Sequence, residues 1–254
     1  MDKLTKRLRT GLLENSAVQI KESKSWYLPV LRVDVTYKRV RRAKMDILMK
    51  MMMLTFAEAD IRRAANLSEM LLVEELFIAD LMRKMERTGL VSIDKGIYRL
   101  TGKGQEQLET GIVEEELDEE QTELFYSPTH DGYWSERTVS DTGEEEKLGE
   151  FRYSNDQNEP DTEGLLQVLS ESKDGLDEDG FQIVVDQIVS FEQHAVEVPC
   201  VEFILYNKEQ DLFYSRIWNT MLEQWDEKLE KQVEEHERMK WREEWAGDLD
   251  GEEV

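Results

Sequence analysis

The sequence predicts a mixed α+β fold, and three observations carry that expectation. Residues 26–40 alternate apolar and polar side chains as a half-buried strand does. Residues 45–108 read as helices broken once by two short β-rich runs, at 90–93 and 97–100. Residues 196–206 are again β-rich and precede a long run, 212–245, with apolar residues at helical spacing. The expected order is a basic arm and strand (1–43), a helical domain with a small hairpin (44–111) and an acidic linker (112–123). A smaller acidic α+β domain ending in a long helix (124–245) and an acidic tail (246–254) follow.

A chain of 254 residues can bury one large or two modest cores. Its net charge of -25 repels nucleic acid and anionic membrane when averaged over the chain, but the average hides a gradient. Residues 1–44 sum to +8, residues 45–110 to -2 and residues 111–254 to -31. The single cysteine, Cys200, excludes an intramolecular disulfide and any cysteine-based zinc site. Charged residues follow Met1 at once, and no run approaches the ~18 apolar residues of a membrane span. A soluble, cytoplasmic protein is expected.

Leu4, Leu8, Leu12 and Leu13 fit a short amphipathic helix or a mobile arm, or else a basic arm that tracks phosphates. In the strand that follows, Val30, Leu31, Val33, Val35 and Tyr37 interleave with Arg32, Asp34, Thr36 and Lys38. It runs into the densest basic cluster of the chain: Lys38, Arg39, Arg41, Arg42 and Lys44. This is either a nucleic-acid footprint or a counter-charge for the acidic half of the same molecule. Residues 45–59 are helical, and their methionines (Met45, Met49, Met51, Met52, Met53) read as adaptable core filler, since no His or Cys accompanies them. Residues 60–68 give a short helix closed by Asn66, and Ser68 is expected to cap a helix over 69–88. Leu72, Leu76, Ile78, Leu81, Met82 and Met85 supply its buried stripe, and Gly89 its left-handed stop. Asp94-Lys95-Gly96 turns the hairpin, and Thr101 caps a helix through Leu108.

The run Gly89, Leu90, Val91, then Tyr98, Leu100, Thr101, Lys103 and Gly104, resembles the winged helix-turn-helix of the MarR and PadR kind. The likeness covers residues 44–111, about a quarter of the chain. It implies a recognition helix at 69–88 and a wing at 90–100, and it specifies a fold better than an activity. One departure matters. DNA-reading members place polar or basic residues at the start of that helix, where this chain has Glu69, Glu74, Glu75 and Asp80. Four carboxylates facing phosphates are repelled, so base reading through this helix is not expected. Backbone contact through Lys38–Lys44, Arg83, Lys84, Arg87, Lys95 and Arg99 remains open.

Residues 111–123 are densely acidic and read as a solvated helix extension or a linker. Tyr133-Trp134 and Phe151-Arg152-Tyr153 flank Asp141-Thr142-Gly143, so a hairpin with an acidic tip at 144–146 is expected. Residues 154–163 form a polar loop, and Asp174, Asp177, Glu178 and Asp179 an acidic one without the ligand spacing of an EF-hand. Residues 181–191 fit a helical face, with a strand left open by the β-branched content. Residues 196–206 fit a strand bent at Pro199. Trp218, Leu222, Trp225 and Leu229 at 4-3-4 spacing give the last run the seam of a helical rod, roughly 45 Å long. Trp241 and Trp245 beyond that seam are expected to be exposed and to anchor another protein.

His130, His194 and His236 lie in separate segments without metal-ligand spacing. Gly102-Lys103-Gly104 is a cap and turn rather than a phosphate cradle, and the acidic pairs are dense enough for chance to explain them. No reaction, metal or cofactor is expected. Two functions remain. One is a non-catalytic accessory or adaptor subunit of a larger intracellular assembly, bacterial and nucleic-acid-processing or defence-type, contacting its protein partner through Glu69, Glu74, Glu75, Trp241 and Trp245. The other is a DNA-binding transcription regulator whose C-terminal part senses or dimerises.

Overall fold

The computed structural model describes residues 2–135, 148–155 and 157–249. The expected turn at 141–143, its tip at 144–146 and residues 250–254 of the tail lie outside the described residues. The chain is mixed α+β. It opens with α1 (Asp2–Leu12) and a strand of 27 residues, β1 (Val18–Lys44). Next come α2 (Ile47–Glu58), α3 (Ala64–Leu71), α4 (Glu75–Arg87), β2 (Val91–Asp94), β3 (Ile97–Leu100) and α5 (Gly102–Thr110). Four strands follow: β4 (Ile112–Glu116), β5 (Glu120–Ser127), β6 (Gly132–Ser135) and β7 (Gly149–Glu150). After α6 (Thr162–Lys173) and β8 (Gly175–Leu176) runs β9 (Gln182–Asn207), with β10 (Leu212–Asn219), β11 (Gln224–Trp225) and α7 (Glu227–Leu249) last.

Among the described residues, nine strands share a sheet whose path is β11-β10-β9-β1-β5-β6, with β4 and β7 paired to β1 and β8 to β9. β2 and β3 form a hairpin of their own. Two compact units are built on this plan. The first takes Met1–Val35, Gln121–Asp161 and Ser190–Val254; the second takes Thr36–Glu120 and Thr162–Val189. β1 and β9 each give one part of their length to either unit. No helix among the described residues is long and apolar enough to cross a membrane.

In the first unit, Trp26, Leu28 and Val30 of β1 meet Phe125, Phe151, Val198, Ile204 and Ile217, and α7 adds Leu229, Val233 and Trp241. The expected hairpin pairs differently. β5 joins β6 with Phe125 opposite Trp134 and Tyr126 opposite Tyr133, whereas Gly149 and Glu150 run parallel to Trp26 and Tyr27 of β1. Residues 212–225 correct the sequence reading most. They form β10, a turn at 220–223 and β11, not the first half of a rod, and the helix begins only at Glu227. The reason is a period of two: Phe213, Ser215, Ile217 and Asn219 are buried. Two of these are polar, and each finds a partner: Ser215 Oγ donates to the Glu230 carbonyl at 3.0 Å and Asn219 Nδ2 to Asp226 at 3.0 Å. Trp218 and Trp225, expected along one helical seam, instead face each other across β10–β11 with ring centroids 5.3 Å apart.

In the second unit, Met45, Met52, Met53, Phe56, Leu67, Ile78, Met82 and Met85 form the core with Leu90 and Val91. Asp46 caps α2 by accepting from Met49 N. Asn66 and Ser68 lie inside α3 rather than at its ends, and the chain breaks at Leu72, whose φ is 55°. The expected helix over 69–88 is therefore two: Glu69 belongs to α3, and α4 starts at Glu75. The local signals after it match the expectation. Lys95 and Gly96, both at positive φ, turn β2 into β3, and Thr101 Oγ1 accepts from Gly104 N at 3.0 Å. Residues 112–116 and 120–127 are strands, not a linker or helix extension; β4 pairs antiparallel with the end of β1, Arg42 opposite Glu114 and Arg41 opposite Glu115. α6 was not anticipated, and residues 182–191 belong to β9, the strand alternative.

Candidate functional site

Four of the five cations at the basic end of β1 are met by carboxylates of their own unit. Lys38 Nζ stands 3.4 Å from Glu119, and Arg39 pairs with Glu120, which also accepts from Tyr37 OH at 2.9 Å. Arg42 Nε lies 2.7 Å from Glu114. Arg41 is held by two acids, its Nε 2.7 Å from Asp177 and its Nη2 2.9 Å from Asp179, while the Phe181 ring lies 4.1 Å from its Cζ. The Asp177 carboxylate also accepts from the backbone of Asp179 and Phe181, so the acidic loop is folded around this pairing. The dense acid of 112–120 and 174–179 thus has local partners; antiparallel register delivers Glu114, and the 174–179 loop brings Asp177 and Asp179.

Other candidate cations divide into two groups. Arg83 pairs with Asp80 at 2.7 Å and Arg99 with Asp60 at 2.9 Å. Lys44, Lys84, Arg87 and Lys95 are exposed and make no ion pair among the described residues. Lys44, Lys84 and Arg41 share the wall of a cleft of about 210 Å³ with Asp46 and Glu115, over an apolar floor that includes Met49, Leu90, Val113 and Phe181.

The α3–α4 turn is a second surface. Leu72 is 90 % exposed, Leu76 70 %, Met70 59 % and Phe77 53 %. Glu69, Glu74 and Glu75 stand among them, exposed and without an ion pair among the described residues. Leu72 and Leu76 were expected in a buried stripe; the break at Leu72 turns them outward. The sequence did hold a signal, because Met70-Leu71-Leu72-Val73 and Leu76-Phe77 hold more apolar side chains than one helix face can bury. Trp241 and Trp245 behave in the opposite way. Trp241 is 3 % exposed, and Trp245 packs on Phe213 with centroids 5.8 Å apart, so neither stands out as an exposed anchor. Both are held where α7 rests on its own unit's core.

One further constellation links Ser127, His130 and Asp226. Ser127 Oγ is 2.7 Å from His130 Nδ1, and His130 Nε2 is 3.1 Å from both Asp226 oxygens. Ser127 is fully buried, and Asp226 also receives the Leu229 N–H at the start of α7 and the Asn219 amide. The network pins the β5–β6 turn to the start of α7. Burial alone would raise the Asp226 carboxyl, but the His130 and Asn219 contacts outweigh it and hold the group below its ordinary value. Burial pushes the Cys200 thiol well up, so it is not a reactive thiolate at neutral pH. Among the described residues no three His, Cys, Asp or Glu side chains gather as metal ligands. Comparison with family models, curated proteins and solved structures returned no match.

Proposed function

We propose that the chain is a non-catalytic accessory subunit of a larger cytoplasmic assembly, nucleic-acid-processing or defence-type, in which a winged helix-turn-helix module at residues 44–111 serves protein docking. This reading takes helices α2, α3 and α4, the β2–β3 hairpin with its two-residue turn, and the Thr101-capped α5 as the parts of that module. The domain arrangement proposed with it has the basic strand leading into that module and the acidic remainder forming a second domain that ends in α7. The observation that carries the reading is the fate of the basic strand. Lys38, Arg39, Arg41 and Arg42 already hold carboxylates, so a phosphate backbone must displace them. The start of α4 meets a partner with Leu76, Phe77, Glu74 and Glu75, a surface suited to protein rather than to a phosphate-lined groove. Fully burying two such apolar side chains is worth about 1.5–3 kcal/mol each.

Titration of the intact chain into labelled DNA duplexes over a range of salt tests this. Only weak, sequence-independent association is expected, lost by physiological ionic strength. Nanomolar, sequence-selective binding sinks the proposal in favour of a transcription regulator.

A further inference from the structure

We infer that the α3–α4 turn docks a basic, amphipathic segment of a partner protein. This rests on the accessory-subunit reading and adds the place and the partner's chemistry. Met70, Leu72, Leu76 and Phe77 are all more than half exposed on one short stretch of chain, where a monomeric surface gains nothing from them. The turn is preset rather than loose: Ser68 Oγ donates to the Val73 carbonyl at 2.6 Å, and Val73 N donates to the Ser68 carbonyl at 3.3 Å. Leu72 is held in the left-handed region that non-glycine residues seldom occupy.

Charge selects the occupant. Glu69, Glu74 and Glu75 have no cation of their own among the described residues, and Asp80 is the acid nearby that has one, Arg83. That rim repels phosphate, whether of nucleic acid or of an anionic membrane. A second copy of the chain is disfavoured too, because a two-fold contact sets the same carboxylates against each other. The chain's own basic helix α1 is already used: Leu8 is buried in the first unit, with Leu4 and Leu12 packed beside it. What fits is a segment with apolar residues at i, i+3, i+4 and i+7 and Lys or Arg flanking them.

The test uses the intact chain and two labelled synthetic peptides of about 15 residues, long enough for a helical face. One carries leucines on one face and lysines on the other; its twin has glutamates for lysines. Fluorescence anisotropy is expected to show binding of the lysine peptide and not of the glutamate one. Leu76→Ser/Phe77→Ser is expected to weaken it at least tenfold, about 1.4 kcal/mol, with the circular dichroism melt unchanged because both side chains are exposed. Glu74→Lys/Glu75→Lys is expected to reverse the preference. Equal binding by the Leu76→Ser/Phe77→Ser variant and the native chain overturns the site, because the attraction is then the diffuse pull of a chain of net charge -25. No binding by the native chain overturns it as well. A DNA duplex in the same assay separates the two levels: tight duplex binding sinks the accessory-subunit reading, while peptide failure without duplex binding sinks the docking surface alone.

Discussion

Glu202 sits fully buried on β9, with Arg152 donating to it at 2.8 and 2.9 Å, Trp26 Nε1 at 2.6 Å and Lys24 Nζ at 3.4 Å. Burial disfavours the Arg152 charge, yet the hydrogen bonds to Glu202 and Glu237 hold the guanidinium above its ordinary value. Removing one partner of such a pair strands the other charge, so Arg152→Ala should lower the unfolding free energy by about 3–5 kcal/mol. Urea unfolding measures this, and a loss below about 1 kcal/mol would mean that Trp26 and Lys24 suffice to hold Glu202. The acid limb has its own sign. Burial raises Asp226 and Glu237, but His130 for the first and Arg152 with Tyr153 for the second hold both carboxyls below their ordinary values. Their stability is present above the unfolded pKa of about 4 and drains away as pH falls through the folded value. Glu230 runs the other way, since burial raises it and its ionisation disfavours the fold as pH rises. Glu116, beside Lys103, and Asp211, beside Arg242 and Tyr206, are held low as well. Four lowered carboxyls against one raised among the described residues predict a melting temperature that falls below about pH 4; a flat profile down to pH 3 contradicts the pairing.

Gly104 in α5 shows how one element locks on another. A Cβ there meets the Leu90 carbonyl oxygen at 2.0 Å, and that oxygen already accepts from Thr101 N. Alanine is the better helix former by about 1 kcal/mol, but a backbone oxygen cannot yield, and overpacking costs about 1–3 kcal/mol. Gly104→Ala should therefore destabilise. Gly102→Ala, with nothing within 4 Å of its Cβ, should stabilise by about 0.5–1 kcal/mol. Thermal melts of the two variants decide, and equal shifts would remove the steric argument. This stretch was the most legible part of the sequence because Gly89, Gly96 and Thr101 report on their own backbone. β10 was misread because Ser215 and Asn219 look like the polar face of a helix until Glu230 and Asp226 are known to lie beside them. The pairing of Arg39, Arg41 and Arg42 was no more legible than that, since it depends on a strand register set some 70 to 140 residues away. The opposing alternative, an internal counter-charge, was nonetheless visible in the charge gradient.

For the molecule as a whole, the question is whether the basic strand is a covered DNA site or part of the scaffold. Net charge is -25, and the side chains of Arg39, Arg41 and Arg42 are 25 %, 28 % and 39 % exposed. Long-range attraction of phosphate is set by the sum, short-range contact by what a freed guanidinium can reach. Neutralising the partners with Glu114→Gln, Glu120→Gln, Asp177→Asn and Asp179→Asn tests both at once. If the acids merely mask a site, three freed arginines should bind duplex DNA with a salt slope of roughly -2.7, a loss of roughly 40-fold between 50 and 200 mM salt. If the strand is scaffold, the variant still carries a large negative charge and half-buried cations, and it should gain no measurable binding. Its stability should fall by roughly 1–3 kcal/mol in all, since partly exposed ion pairs are worth about 0–1 kcal/mol each. The second outcome is the expected one, because Arg41 is fixed by two acids and an aromatic ring rather than by one contact that phosphate could replace. Salt-dependent duplex binding by the variant, well above the weak association of its native parent, would reverse the assignment, making the acidic loop a competitor for DNA and the chain a regulator.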